Sequence, residues 1–314
     1  MFGNRLGWII AGVLAFVYLG ALVAIESSGS LSAPTALTTA ADALDPLSLP
    51  PPPLPPALDT ADATPLLQDI IRIVLADREL YERFVSSPSV PSADIPRLAA
   101  LTPLLAQLTH STATLYLNQP RDSISYAPES PHVAAMFLAG RAANRVALYH
   151  RANGKPDDAR PLFLASLSLG HKLFLSRTTH AELSAGLGLM SEAATGLQLL
   201  GDPAAPPFLA ALATLNDRLT PAWTAISTVD PTTLGKHNGD IHRLALKSNE
   251  RVFRVESTLK LGRLQYNVGT AGTPADQRQA KKLLKQLLTD PDPAVAHAAQ
   301  LASELTLENY RTLR

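Results

Sequence analysis

The 314-residue chain balances 27 Lys plus Arg against 27 Asp plus Glu, so no net field draws it to nucleic acid, and nucleic-acid binding is not expected. The absence of cysteine removes disulfides, thiol nucleophiles, Cys-ligated zinc and iron–sulfur clusters together. With only 5% aromatic residues and much Ala and Leu, the composition favours close-packed helices over a sheet, where β-branched and aromatic side chains would dominate.

The run Leu6–Ile25 contains no charge and, as a helix, reaches about 30 Å, enough to cross the hydrocarbon core of a bilayer. Arg5 precedes it, whereas Glu26, Asp42, Asp45, Asp59, Asp62 and Asp69 follow it before the next basic residue, Arg72. Positive charge stays on the cytoplasmic side, so residues 1–26 read as a cytoplasmic stub and a signal anchor. The expected location is a bacterial inner membrane, crossed once, with the C-terminal body periplasmic or otherwise extracytoplasmic. A cleaved signal peptide ending near Ser28-Gly29-Ser30 is the alternative, but the apolar run is longer than such peptides use. Ala11/Ala15 and Gly20/Ala24 have the spacing that lets two membrane helices approach closely.

Residues 27–63 are rich in Ser, Thr, Ala, Asp and Pro and include Pro50-Pro51-Pro52-Pro53-Leu54-Pro55-Pro56. This composition reads as a disordered linker with a polyproline spacer. From residue 64 to 314 helix-start signals recur. Thr64-Pro65, Ser130-Pro131, Thr220-Pro221 and Thr273-Pro274 each place a capping hydroxyl before a proline suited to the first helical turn. The pattern predicts helices near residues 65–87, 93–118, 131–153, 157–176, 181–200, 204–218, 221–229, 240–268, 274–289 and 293–310, with no convincing strand. The expected fold class is all-α, a stack of antiparallel helical hairpins.

Two stretches carry a resemblance. Ala147, the turn Asn153-Gly154-Lys155-Pro156-Asp157, then Ala159 and Phe163 set small residues where two helices touch and an aromatic in the gap. This hairpin resembles a tetratricopeptide repeat, although His150 stands where that family usually has tyrosine and Ser166 where it has a second alanine. Lys281–Leu288, then Asp290-Pro291-Asp292-Pro293-Ala294-Val295 with Ala298, Ala299, Ala302 and Leu305, looks like a HEAT repeat with Ala296 in place of its usual basic residue. Both resemblances imply stacked hairpins with an extended binding face rather than a reaction centre.

No HExxH, GxSxG, phosphate-binding or dinucleotide fingerprint is present, and neither a catalytic residue nor a cofactor is expected. Among the eight histidines, His171 and His180 flank a helix break near Glu182. His237, Asp240 and His242 fall within six residues and are the best metal candidates, since imidazole and carboxylate together suit Zn²⁺. The plainer reading makes Asn238-Gly239 a turn and Asp240 the N-cap of the next helix.

On that next helix Arg243, Lys247, Arg251 and Arg254 follow at spacings of four, four and three, one stripe of like charge. Residues 236–314 hold 13 basic and 8 acidic residues, while residues 26–160 hold 10 and 14, so the molecule is polarised. The stripe is a candidate docking face for an acidic protein, an anionic envelope polymer or lipid headgroups. Alternatively it is a solvated surface supported by Glu250–Arg254 and Glu256–Lys260 pairs, or it matches acidic positions within the fold. The expected function is a membrane-anchored scaffold or adaptor, not an enzyme. An envelope enzyme using the His237–His242 loop and a structural subunit assembled through Leu6–Ile25 are the alternatives.

Overall fold

The computed structural model describes residues 47–55, 64–86, 94–98, 101–109, 131–227, 231–304 and 306–308. Leu6–Ile25 lies outside them, and among the described residues no helix is long and apolar enough to cross a membrane. Every regular element described is helical. In chain order these are α1 (Thr64–Ala76), α2 (Arg78–Ser86), α3 (Thr102–Thr109), α4 (Pro131–Ala152), α5 (Pro156–Ser176), α6 (His180–Leu199), α7 (Ala205–Ser227), α8 (Asn238–Lys247), α9 (Arg251–Leu264), α10 (Pro274–Leu287) and α11 (Pro293–Glu304). Short 3₁₀ turns cover Ile95–Leu98 and Pro231–His237.

Helix packing concentrates in two groups. In the first, α5 is enclosed by α3, α4 and α6, with α1 and α2 against α4 and α7 against α6. In the second, α9 is the centre, contacted by α8, α10 and α11. One apolar cluster runs through both. Central position explains the composition of α5: it buries Ala159, Phe163, Leu167 and Leu173, together with Ser166, Ser168 and Lys172, because neighbours cover it on several sides. The α5–α6 contact is set by two glycines. A methyl group on Gly170 would come within 2.9 Å of the Gly186 carbonyl oxygen, and one on Gly186 within 2.8 Å of the Gly170 carbonyl oxygen. Backbones meet there with no room for a side chain.

The starts of the helices follow local chemistry. Thr273 caps α10, accepting from Asp276 N–H while the Asp276 carboxylate accepts from Thr273 N–H and Oγ1. A second capping box joins Thr179 and Glu182 at the start of α6. Gly154 adopts φ 72°, and the amide of Lys155 donates to His150 O, closing α4 before the turn into α5.

Four helix expectations need correction. Among the described residues, the helix expected near residues 93–118 is a 3₁₀ turn at Ile95–Leu98 followed, after a turn at Leu101, by the separate helix α3. The stretch expected as one helix near residues 65–87 breaks at Asp77 into α1 and α2. Thr220-Pro221 does not start a helix: α7 runs through it, and Thr220 Oγ1 donates back to Asn216 O, 2.8 Å away, rather than capping. The long helix expected over residues 240–268 is interrupted by Ser248-Asn249-Glu250, which separates α8 from α9.

Residues 47–55, expected within a free spacer, lie against the helical body. Leu47 is buried, Ser48 and Pro50 face outward, and Leu49 and Leu54 pack against the core. Leu47 and Leu49, two positions apart, lie on the inner side, and a turn in which Leu54 N–H donates to Pro52 O brings Leu54 back to the core. Residues 27–46 and 56–63 of the same expected linker lie outside the described residues.

Candidate functional site

The basic stripe is not one surface. Arg243 and Lys247 sit on α8, and Arg251 and Arg254 on α9 beyond the break. Arg251 Nε donates to Asp292 Oδ2 at 2.9 Å, and its Nη1 donates to the carbonyls of Leu175 and Ser176 at the end of α5. Arg254 pairs with Asp290 and donates from Nε to Ala245 O. Those carbonyls are among the ones a helix end leaves without an intrahelical partner, so a guanidinium there satisfies the backbone. Asp292 also accepts from Ala294 N–H and Asp290 from Asp292 N–H, which makes the Asp-Pro-Asp-Pro turn a cap for α11 as well as a counter-charge. Arg251 and Arg254 therefore match acidic positions within the fold. The expected Glu250–Arg254 pair is not formed through side chains, because Glu250 turns to Arg177.

His237, Asp240 and His242 do not converge: among the described residues no group of three or more His, Cys, Asp or Glu gathers to hold a metal ion. Asn238-Gly239 is the first turn of α8 rather than a free turn, and the N-cap position is His237, so Asp240 lies inside the helix. Asn238 Nδ2 donates to Asp276, tying this turn to the cap of α10. Burial lowers the pKa of His242 against the upward pull of Asp276, and burial raises that of Asp240 against the pull of His237. Of the other two candidate histidines, His171 lies within α5 and His180 is the first residue of α6. His180 accepts or donates at Ser184 Oγ, 3.0 Å away, while Glu182 is occupied by Thr178 and Thr179.

The hairpin that resembles a tetratricopeptide repeat forms one wall of a cleft of about 420 Å³. Ala139, Ala142, Ala143 and Val146 of α4 face Leu98, Leu101 and Leu105 from the segment around α3, with Leu162 of α5 beneath. The titratable groups come from one side, His150, Asp157 and Asp158, and the opposite wall adds the Thr102 hydroxyl, which donates to Leu98 O. His150 Nδ1 is buried, has no hydrogen-bond partner among the described residues, and stands 3.9 Å from Asp158 Oδ2. The two aspartates are exposed, so the cleft has an apolar floor and an acidic, solvated edge. No family model, curated protein or solved structure matches this chain.

Small side chains make this cleft. Alanines at 139, 142 and 143, themselves buried, line the wall of α4, and Ala147 and Ala159 are fully buried on α4 and α5, which pack together. Phe163 fills the space behind, its ring pressed on Gly196 of α6. The sequence pointed to Ala147, Ala159 and Phe163 as hairpin packing. The opposite wall, from Ile95–Leu98 and from Leu101, Thr102 and Leu105, comes from a segment remote in the chain, and no sequence pattern marked it as a wall.

Proposed function

We propose that this chain is a membrane-anchored scaffold whose helical body holds a partner protein through the cleft between α3, α4 and α5. The observation that carries the reading is the cleft itself: about 420 Å³, floored by apolar side chains and edged on one side by His150, Asp157 and Asp158. Concave apolar sites with a few polar groups at the rim are where proteins hold ligands. The matching occupant is an apolar segment followed by a basic residue, the first placed on the alanine and leucine walls and the second against the two aspartates. Stacked helical hairpins supply such faces without reacting groups.

Anchoring rests on Leu6–Ile25 and on the charge asymmetry around it. The proposal places the body outside the cytoplasm. One experiment tests both parts: reporter fusions at the C-terminus of the full chain, combined with crosslinked capture by wild type and by Asp157→Lys/Asp158→Lys. Activity of an extracytoplasmic reporter, and a partner captured by wild type and lost in the reversal, support the reading. A cytoplasmic C-terminus, or capture indifferent to the reversal, contradicts it.

A further inference from the structure

At the joint between the two helix groups Leu47 is held through its backbone. Glu250 Oε2 accepts from Leu47 N–H at 2.9 Å, and Arg177 Nη2 donates to the Leu47 carbonyl at 3.1 Å. Both main-chain groups of one residue are thus read by an opposed pair of charges. We propose that the Arg177–Glu250 groove is a peptide-binding site for extended leucine- and proline-bearing segments, with the chain's own Leu47–Leu54 as its resident, exchangeable occupant.

The groove is held in shape by contacts that do not involve its occupant. Arg177 Nη1 donates to Phe174 O at 2.8 Å, and the guanidinium lies 4.6 Å from the centre of the Phe174 ring. Arg177 Nε donates to Glu250 Oε1 at 2.8 Å, and Glu250 caps α9 through Val252 N–H. Ser248 Oγ accepts from Glu250 N–H, fixing the turn from which the carboxylate projects. A preformed site avoids the cost of ordering itself around a ligand.

The occupant suits the site for complementary reasons. Recognition through N–H and C=O admits any extended segment, while side-chain preference comes from the enclosed Leu47 and the partly buried Leu49 and Leu54. Prolines 50–53 lack an N–H, so they continue the segment without competing for the clamp, and the chain turns at its end, where Leu54 N–H donates to Pro52 O. This inference goes beyond the cleft proposal, and neither depends on the other.

The test uses the full chain in detergent solution with a specific protease site placed within residues 56–63. After cleavage, retention of the N-terminal piece by the body is followed by size exclusion, with and without a synthetic peptide spanning Asp45–Ala57. The piece is expected to stay bound and to be displaced by the peptide. Leu47→Asp, which leaves the body's own residues unchanged, is expected to weaken retention by about tenfold or more by burying a charge where an apolar group sat. Arg177→Met, checked for folding by circular dichroism, should weaken it as well. Prompt dissociation of the wild-type piece, or equal retention in Leu47→Asp, would overturn the proposal. Crosslinks from the segment to a second copy in place of its own body would overturn the assignment of the resident occupant.

Discussion

The Arg177 guanidinium meets the Glu250 carboxylate across 2.8 Å, joining the last turn of α5 to the residue that caps α9. Glu250 is 1% exposed and Arg177 15%, so this pair lies in the interior of the joint between the two helix groups. In such a place a charge without its partner is costly, whereas the pair itself contributes little against an apolar replacement.

That asymmetry gives the first prediction. Arg177→Met strands a buried carboxylate and should destabilise the protein by about 3 kcal/mol or more in urea unfolding at neutral pH. The double change Arg177→Met/Glu250→Leu should recover part of that loss. If the double variant is less stable than Arg177→Met by the full cost of a second independent change, the two residues are not coupled as described.

Two glycines offer a contrast in sign. Alanine is favoured over glycine inside a helix by about 1 kcal/mol. At Gly239 in the first turn of α8 nothing lies near an added methyl, so Gly239→Ala should leave stability unchanged or raise it. At Gly186 the same methyl meets the Gly170 carbonyl oxygen at 2.8 Å, backbone that cannot rotate aside. Overpacking of about 1–3 kcal/mol should outweigh the propensity gain, so Gly186→Ala lowers the melting temperature. A rise at Gly186 would show that α5 and α6 separate freely.

The broken stripe predicts unequal effects of charge reversal. Arg251→Glu and Arg254→Glu set like charges against Asp292 and Asp290, which are largely buried, and remove donors from the Ser176 and Ala245 carbonyls. Each should lower thermal stability clearly. Lys247→Glu, on an exposed position at the end of α8, should change it by only tenths of a kcal/mol through the helix dipole. Equal effects at all three positions would contradict the internal role of the α9 arginines.

How much of this was legible in the sequence differs from one feature to another. Thr273-Pro274 announced α10 because capping is local, and Ala159 and Phe163 announced the α4–α5 contact because a hairpin packs neighbouring residues. The break before α9 was not readable from Ser248-Asn249-Glu250 alone. What fixes Glu250 there is Arg177, distant in the chain. Leu47 itself was hidden by its composition: a Pro-rich stretch reads as solvated unless a groove elsewhere supplies partners for its leucines. The cleft was unreadable for the same reason, since its two walls meet only in the folded chain.

Acid sensitivity follows from His180, whose pKa burial lowers to about 4 from an ordinary 6.5. The unfolded chain then binds a proton that the folded chain does not. Stability from the neutral imidazole is complete above pH 6.5 and is lost as pH falls toward 4. Compared with His180→Asn, the wild type should lose more stability across that window and no more above it. The backbone N–H that His180 directs to Glu256 is retained in the variant, so the difference isolates the ring. Parallel stability curves would remove the imidazole as the cause.

The most direct test of the scaffold reading is a photo-crosslinking amino acid placed at Val146 on the cleft wall of the full chain in intact membranes, with one at exposed Thr214 on α7 as reference. The expected result is a partner segment crosslinked from position 146 but not from 214, apolar with a neighbouring basic residue, and lost when Ala142→Trp fills the cleft. No adduct at 146, or the same adducts from both positions and in the filled cleft, would contradict the claim that this protein binds its partner there.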